Sequence, residues 1–396
     1  MVRKKVYLVL PVMKGGGVEQ VSLVLLKHLD RTRYELKLVL FRREGEYLDR
    51  VPADVEIIDL HKKNRLSFFG LIVKLARLIR IDKPDILLSS LYYPNIVSVL
   101  ACILSASRYT KVIICEHNHH KKLLPFKRLR RCAWHLMRYT YRRADRIIAV
   151  SRNIKKTLAE DFEIDPHRIV PIYNPMETVE IRRRSREAVR HPFLEKDRRG
   201  VTIVGVGRLT RQKNFALLIE ALTRVRREIP ASLLILGQGG ARGALEALTR
   251  ELGVEQHVAF PGFQQNPYKW MRRADLFVLP SDWEGFGIVI VEAMICGVPV
   301  VSTDCPSGPN EIIRDRENGR LVTVGDAAHL AEAIVELARD RELAEKFVRN
   351  GFENARRFDF RRTLQQYEHT IEEVAMSDVV CRHLLHPISR CESVSC

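Results

Sequence analysis

Two acidic residues, Glu284 and Glu292, stand with seven residues between them in "SDWEGFGIVIVEAMICGVPV", a stretch otherwise suited to burial. A helix starting near Phe286 and ending at Cys296-Gly297 puts Glu292 about two turns inside and leaves Glu284 in the preceding loop. One carboxylate then faces a ligand from the loop and the other from the helix. Further upstream, "GVGRLTRQKN" places Arg208 and Lys213 after a strand that ends in glycine. Two long cations there can clamp a diphosphate and neutralise charge growing on a leaving group as a glycosidic or phosphoryl bond breaks. "CEHNHH" supplies Glu116 and His117 at another strand end. An imidazole can donate to an oxygen near a reacting carbon, and the neighbouring carboxylate can set its tautomer. "GGGVEQ", Gly15 to Gln20, joins the first strand to the first helix. Its glycines permit close backbone approach, and free amides at the helix start attract phosphate. The spacing is neither the dinucleotide fingerprint nor a P-loop.

These segments have to be positioned by the elements around them. Apolar strands such as "KVYLVLPV", "YELKLVLF", "DILLSS", "KVIICE" and "DRIIAVS" alternate with amphipathic helical stretches. This is a βαβ rhythm and predicts parallel sheets covered by helices. The charged passage 177–200 interrupts it, and a second series opens at "VTIVGVG". At 396 residues the chain is long enough for two such units. Two doubly wound domains in tandem put a cleft at the carboxyl ends of both sheets, where ligands bind.

The formal net charge of +18 implies an anionic partner. Residues 62–83 mix an apolar face with lysines and arginines, and residues 121–143 hold nine basic residues and no acidic one. Such helices suit an anionic membrane surface, and also suit a packed first domain with solvated cations. No nucleic-acid-binding signature accompanies them, so no nucleic acid is expected. The basic, apolar start followed by glycines reads as a buried strand rather than a secretion signal. No apolar run approaches the roughly 20 residues that span a bilayer. The eight scattered cysteines, Cys391 and Cys396 among them, suit a reducing compartment. Metal catalysis is not expected, because the distributed acidic ligands of a hydrolytic centre are missing around His117, His119 and His120.

Taken in order, "GGGVE", "EHN", "ADRIIAVS", "IYNP", "GVGRLTRQKN", "ADLFVLPSDWEGFGIVIVEAMICGVPVVST" and "CPSGPNEII" span nearly the whole chain. In this order the chain resembles the retaining glycosyltransferases of family 4 (glycosyl transferases group 1). The resemblance implies an α/β GT-B fold, two Rossmann-like domains facing a central cleft. Residues 1–190 would form an acceptor-binding domain and 191–355 a nucleotide-sugar-binding domain. A helix over 356–378 would cross back to the first domain, ahead of a flexible tail, 379–396. By the same resemblance Glu292 holds ribose hydroxyls of a nucleotide-sugar donor, and Arg208 with Lys213 holds its diphosphate. Glu284, with the amides of Gly285, Phe286 and Gly287, contacts the transferred sugar. His117 lies near the reacting centre, and Gly16 with Gly17 closes over the diphosphate or acceptor. No cofactor and no metal is implied. The expected reaction moves a hexose or N-acetylhexosamine from a UDP-sugar to a lipid-linked or cell-envelope saccharide acceptor. It takes place in the cytoplasm, peripherally on the inner face of the cytoplasmic membrane. A sugar-nucleotide epimerase of the same fold and a non-enzymatic basic surface adaptor stay open as alternatives.

Overall fold

The computed structural model describes residues 3–62, 67–118, 130–195 and 200–384. His119, His120, the whole of 121–129 within the basic run 121–143, and Cys391 and Cys396 lie outside them. In the first half, strands β1 (Lys4–Leu10), β2 (Tyr34–Leu40), β3 (Glu56–Asp59), β4 (Ile86–Ser90), β5 (Lys111–Glu116), β6 (Arg146–Ala149) and β7 (Ile169–Pro171) form one sheet in the order 3-2-1-4-5-6-7. All its pairings are parallel, with Val6 opposite Leu36 on one side and Ile86 on the other. In the second half, β8 (Val201–Val206), β9 (Ala231–Leu236), β10 (Val258–Gly262), β11 (Leu276–Leu279), β12 (Val300–Thr303) and β13 (Arg320–Val322) form an all-parallel sheet in the order 10-9-8-11-12-13.

Central strands such as β4 and β11 are buried along their whole length, which is why they read as continuous apolar runs rather than alternating ones. In both sheets the order reverses beside the first strand, between β1 and β4 and between β8 and β11. The loops after β1 and β8, which carry "GGG" and "GRLTRQK", therefore open into a crevice at the strands' carboxyl ends.

The passage 177–200 contains more structure than its charge suggests. Thr178–Ser185 is helical and packs against the helices Tyr268–Met271 and Ile288–Cys296 of the second half. Only Thr178, Ile181 and Ser185 are buried, a stripe with a single large apolar side chain and so too faint for periodicity to detect. The last helix runs Phe360–Leu384, starting later and ending later than the stretch 356–378. No glycine or proline follows Phe360 until Pro387, so nothing in the chain stops the helix at 378. It lies on the first half: Tyr367, Ile371 and Val374 are buried among Val6, Leu8, Ile86 and Leu88. Burial of Ile371 and Val374 contributes about 1.5–3 kcal/mol each. Glu372 adds polar ties to Lys4, to Arg33 at 3.0 Å and to the Tyr34 hydroxyl at 2.8 Å. Among the described residues no helix is long and apolar enough to cross a membrane.

Candidate active site

A cavity of about 500 Å³ lies between the two sheets' carboxyl edges. Gly16, Gly17 and His117 line it from the first half; Arg208, Lys213, Glu284, Gly285, Phe286, Gly287 and Glu292 line it from the second. Residues scattered over most of the chain thus meet in one space.

The helix bearing Glu292 begins at Ile288, not near Phe286 as the sequence suggests. Gly287 has φ +91°, a left-handed conformation that cannot continue a helix and that glycine adopts without a Cβ clash. Glu292 is consequently the fifth helical residue, a little over one turn in, and this brings its carboxylate to the cleft. Gly297, at φ +78°, ends the helix where expected. The Gln20 amide reaches across from the first helix and donates to Glu292 Oε1 at 3.0 Å and to the Tyr268 hydroxyl at 2.8 Å. Tyr268 itself donates to the same carboxylate oxygen at 3.0 Å. Burial raises the Glu292 carboxyl above its ordinary range, and the Gln20 and Tyr268 bonds oppose that rise. Sequence reasoning missed both partners. Gln20 was discoverable, since it lies three residues beyond Gly17 on the same helical face. Tyr268 carries no local signal.

Lys213 and Glu284 do not face the cavity as separate groups. Lys213 Nζ lies 2.6 Å from Glu284 Oε1, and the side chains are only 14% and 7% exposed. The Ser281 hydroxyl donates to the same oxygen at 2.6 Å. Arg208 is the exposed cation of the pair read from the sequence. Facing it, Glu19 of the glycine-loop helix is buried, and desolvation pushes its carboxyl up to about 7 against the pull of its own backbone amide and of Arg208. A Cβ on Gly16 would sit 2.5 Å from the Glu19 carboxylate.

Glycines also let the two halves touch. A Cβ on Gly15 would fall 2.3 Å from the Phe263 ring, and one on Gly285 would fall 1.7 Å from the His117 carbonyl oxygen. The second clash is against backbone and cannot be relieved by a side-chain rotation. Gly285→Ala is therefore expected to force the loop off the His117 segment and lower kcat/KM by about 100-fold with little change in Tm. Steady-state kinetics beside a thermal melt checks this.

His117 is buried, and among the described residues its Nε2 has no hydrogen-bond partner. Burial lowers its pKa to about 4, so the ring is neutral near pH 7. Glu116 does not orient the imidazole, contrary to the sequence reading. Its carboxylate accepts instead from the backbone amides of His117 and Asn118, at 3.0 and 3.1 Å, and from the Tyr141 hydroxyl. As the last residue of β5 it is fully buried, beneath the turn that carries His117. Among the described residues no cluster of histidine, cysteine and acidic side chains could hold a metal ion.

The arrangement provides a cation on the wall, a buried ion pair, a neutral imidazole and a carboxylate at a helix start, all around a ligand-sized space. Comparison with known proteins bears on the family and the fold. The profile of Glycosyltransferase Family 4 matches residues 15–180, and that of Glycosyl transferases group 1 matches residues 187–354. The chain is 28% identical over 365 residues to the N-acetylgalactosamine-N,N'-diacetylbacillosaminyl-diphospho-undecaprenol 4-alpha-N-acetylgalactosaminyltransferase of Campylobacter jejuni, covering 87% of this chain and 93% of that protein. It is 38% identical over 152 residues to the lipopolysaccharide core biosynthesis glycosyltransferase LpsE of Rhizobium meliloti, covering 38% of this chain and 43% of the relative. Anabaena HepE, solved in complex with UDP and glucose, superposes with a TM-score of 0.77 at 23% identity, covering 94% of this chain and all of the other. The lipopolysaccharide outer core galactosyltransferase WaaB superposes at 0.70 with 21% identity, covering 93% of this chain and 99% of that one. The chain belongs to this family of glycosyltransferases with the two-domain GT-B fold, a Family 4 domain followed by a group 1 domain.

Proposed function

We propose that the protein is a retaining glycosyltransferase that moves a hexose or N-acetylhexosamine from a UDP-sugar to a lipid-linked or cell-envelope saccharide. The observation that carries this reading is the convergence of Arg208, the Lys213–Glu284 pair, His117 and Glu292 on one interdomain cavity. In this reading Glu292 binds the ribose hydroxyls and Arg208 holds the diphosphate. Lys213 serves both the diphosphate and Glu284. Glu284 and the amides of Gly285, Phe286 and Gly287 hold the transferred sugar, with His117 beside it. Gly16 and Gly17 close over the diphosphate or the acceptor. The donor half is the segment 191–355 and the acceptor half 1–190. The UDP assignment is supported by the HepE complex with UDP and glucose, and the acceptor class by the diphospho-undecaprenol substrate named for the Campylobacter relative.

Transfer proceeds on the front face of the sugar. The acceptor oxygen bonds to the anomeric carbon as the bond from that carbon to the phosphate oxygen breaks on the same side, and the acceptor proton passes to the departing phosphate. The cations and the amino end of the glutamate helix stabilise the charge that develops there. No metal is needed for these steps.

The helix Phe68–Asp82 supports a membrane-surface location. It exposes Phe69, Val73 and Ile81 beside Arg77 and Arg80, an apolar and basic outer stripe. Arg130–Tyr141 exposes Tyr139, with the Arg143 guanidinium 3.7 Å over its ring. Such a face brings the cleft to a lipid-linked acceptor.

Incubation with radiolabelled UDP-sugars and an extract of bacterial membrane lipids tests the whole reading. Label is expected in the lipid fraction at a rate unchanged by EDTA. Conversion of the sugar nucleotide without an acceptor would instead identify an epimerase.

A further inference from the structure

The Glu116 carboxylate is fully buried, and among the described residues it has no ion-pair partner. Burying such a group is costly unless every lone pair finds a donor, and an apolar side chain would be cheaper at this position. Its donors are specific. Oε1 accepts from the His117 and Asn118 amides, and Oε2 accepts from Tyr141. Tyr141 is anchored in turn: the Asn95 amide donates to its hydroxyl at 3.3 Å and to the Cys115 carbonyl at 3.0 Å, while Ser89 donates to Asn95 Oδ1 at 2.8 Å. The chain of bonds ties the turn after β5 to β4 and to the helices Tyr92–Ser105 and Arg130–Tyr141. On the far side of the same peptide, the His117 carbonyl abuts Gly285 of the donor loop.

We propose that Glu116 is a positioning residue for sugar transfer, fixing the height of the His117 ring and the seat of the Gly285 loop by holding two successive backbone amides from below. It acts through the main chain and not on the imidazole. The proposal rests on the reading of His117 as the group beside the transferred sugar. Desolvation brings the carboxyl up to about 7, with Tyr141 and the two amides opposing that rise, so the charged form is held by these donors alone.

Glutamine is the informative replacement. Its Oε1 can keep both amide bonds, because both fall on one oxygen, and its NH2 can donate to Tyr141, which then accepts. Alanine removes all three bonds. Glu116→Ala is expected to lower kcat by about 10–100-fold, the scale of a sub-ångström to one-ångström misplacement, with donor KM within about twofold. Glu116→Gln is expected to stay within about threefold of wild type, since the positioning bonds survive. Tyr141→Phe removes only the hydroxyl that anchors Oε2, and so keeps the test available if the alanine variant does not fold; its kcat is expected to fall by about 3–10-fold at constant KM. Hydrogen exchange of the segment 113–118 provides a readout independent of turnover. The amides of His117 and Asn118 are expected to be protected in wild type and in Glu116→Gln, and exposed in Glu116→Ala. Wild-type kcat in Glu116→Ala or Tyr141→Phe, or a Glu116→Gln variant as damaged as the alanine one, would overturn the proposal. Failure of the functional reading shows itself differently, as wild-type protein that transfers from no nucleotide sugar.

Discussion

Glu292→Ala is expected to weaken binding of the donor and of its free nucleotide alike by about 100-fold, the size of two hydrogen bonds to a charged group. The carboxylate is buried, yet among the described residues it is bonded only to uncharged groups, Gln20 and Tyr268, on one of its two oxygens. A vicinal pair of ribose hydroxyls would complete its coordination. Gln20 ties the loss to a second effect, because it is the first-half residue that bonds Glu292 across the cleft. Removal of the carboxylate therefore loosens closure as well as binding. Titration calorimetry with donor and nucleotide checks the prediction; equal affinity in wild type and variant would take Glu292 out of the site.

The Lys213–Glu284 pair gives the second large effect. Breaking a buried pair leaves an uncompensated charge and costs about 3–5 kcal/mol. Lys213→Met is thus expected to lower Tm by several degrees and to abolish measurable transfer. Adding Glu284→Gln removes the stranded charge while keeping an acceptor for Ser281, and Tm should recover. Turnover should not recover, because the groups proposed to meet the diphosphate and the sugar are both gone. A double-mutant cycle read in Tm and in kcat/KM separates the two roles. Recovery of turnover along with Tm would reduce the pair to a structural tie.

Much of this architecture can be read directly from the chain. Strands buried on both faces leave unbroken apolar runs, and helices packed on a sheet leave one-sided ones, so the two βαβ series stand out. Glycine-bearing strand ends mark the cleft, because close backbone approach needs residues without Cβ atoms. Gly285 against the His117 carbonyl is such an approach. Contacts between distant segments leave no such trace. Gln20 and Tyr268 are 248 positions apart, and nothing in either neighbourhood announces the other. The spacing of Lys213 and Glu284 likewise suggested two independent ligand groups, whereas the fold joins them. For Glu116 the sequence indicated the right neighbour and the wrong atom. A strand-end side chain turned into the core reaches the following amides more easily than it reaches the next residue's ring. The short helix Thr178–Ser185 escaped notice for a simpler reason, since one isoleucine makes no period.

The central claim is that this cavity binds a uridine-linked sugar by its nucleotide. Thermal stabilisation of the wild-type protein by UDP-, GDP-, ADP- and CMP-sugars, each beside its free nucleotide, addresses that most directly. The account predicts a rise in Tm with UDP and UDP-sugars, and none with the others at equal concentration. A rise confined to GDP, ADP or CMP compounds, or no rise with any nucleotide, would contradict it.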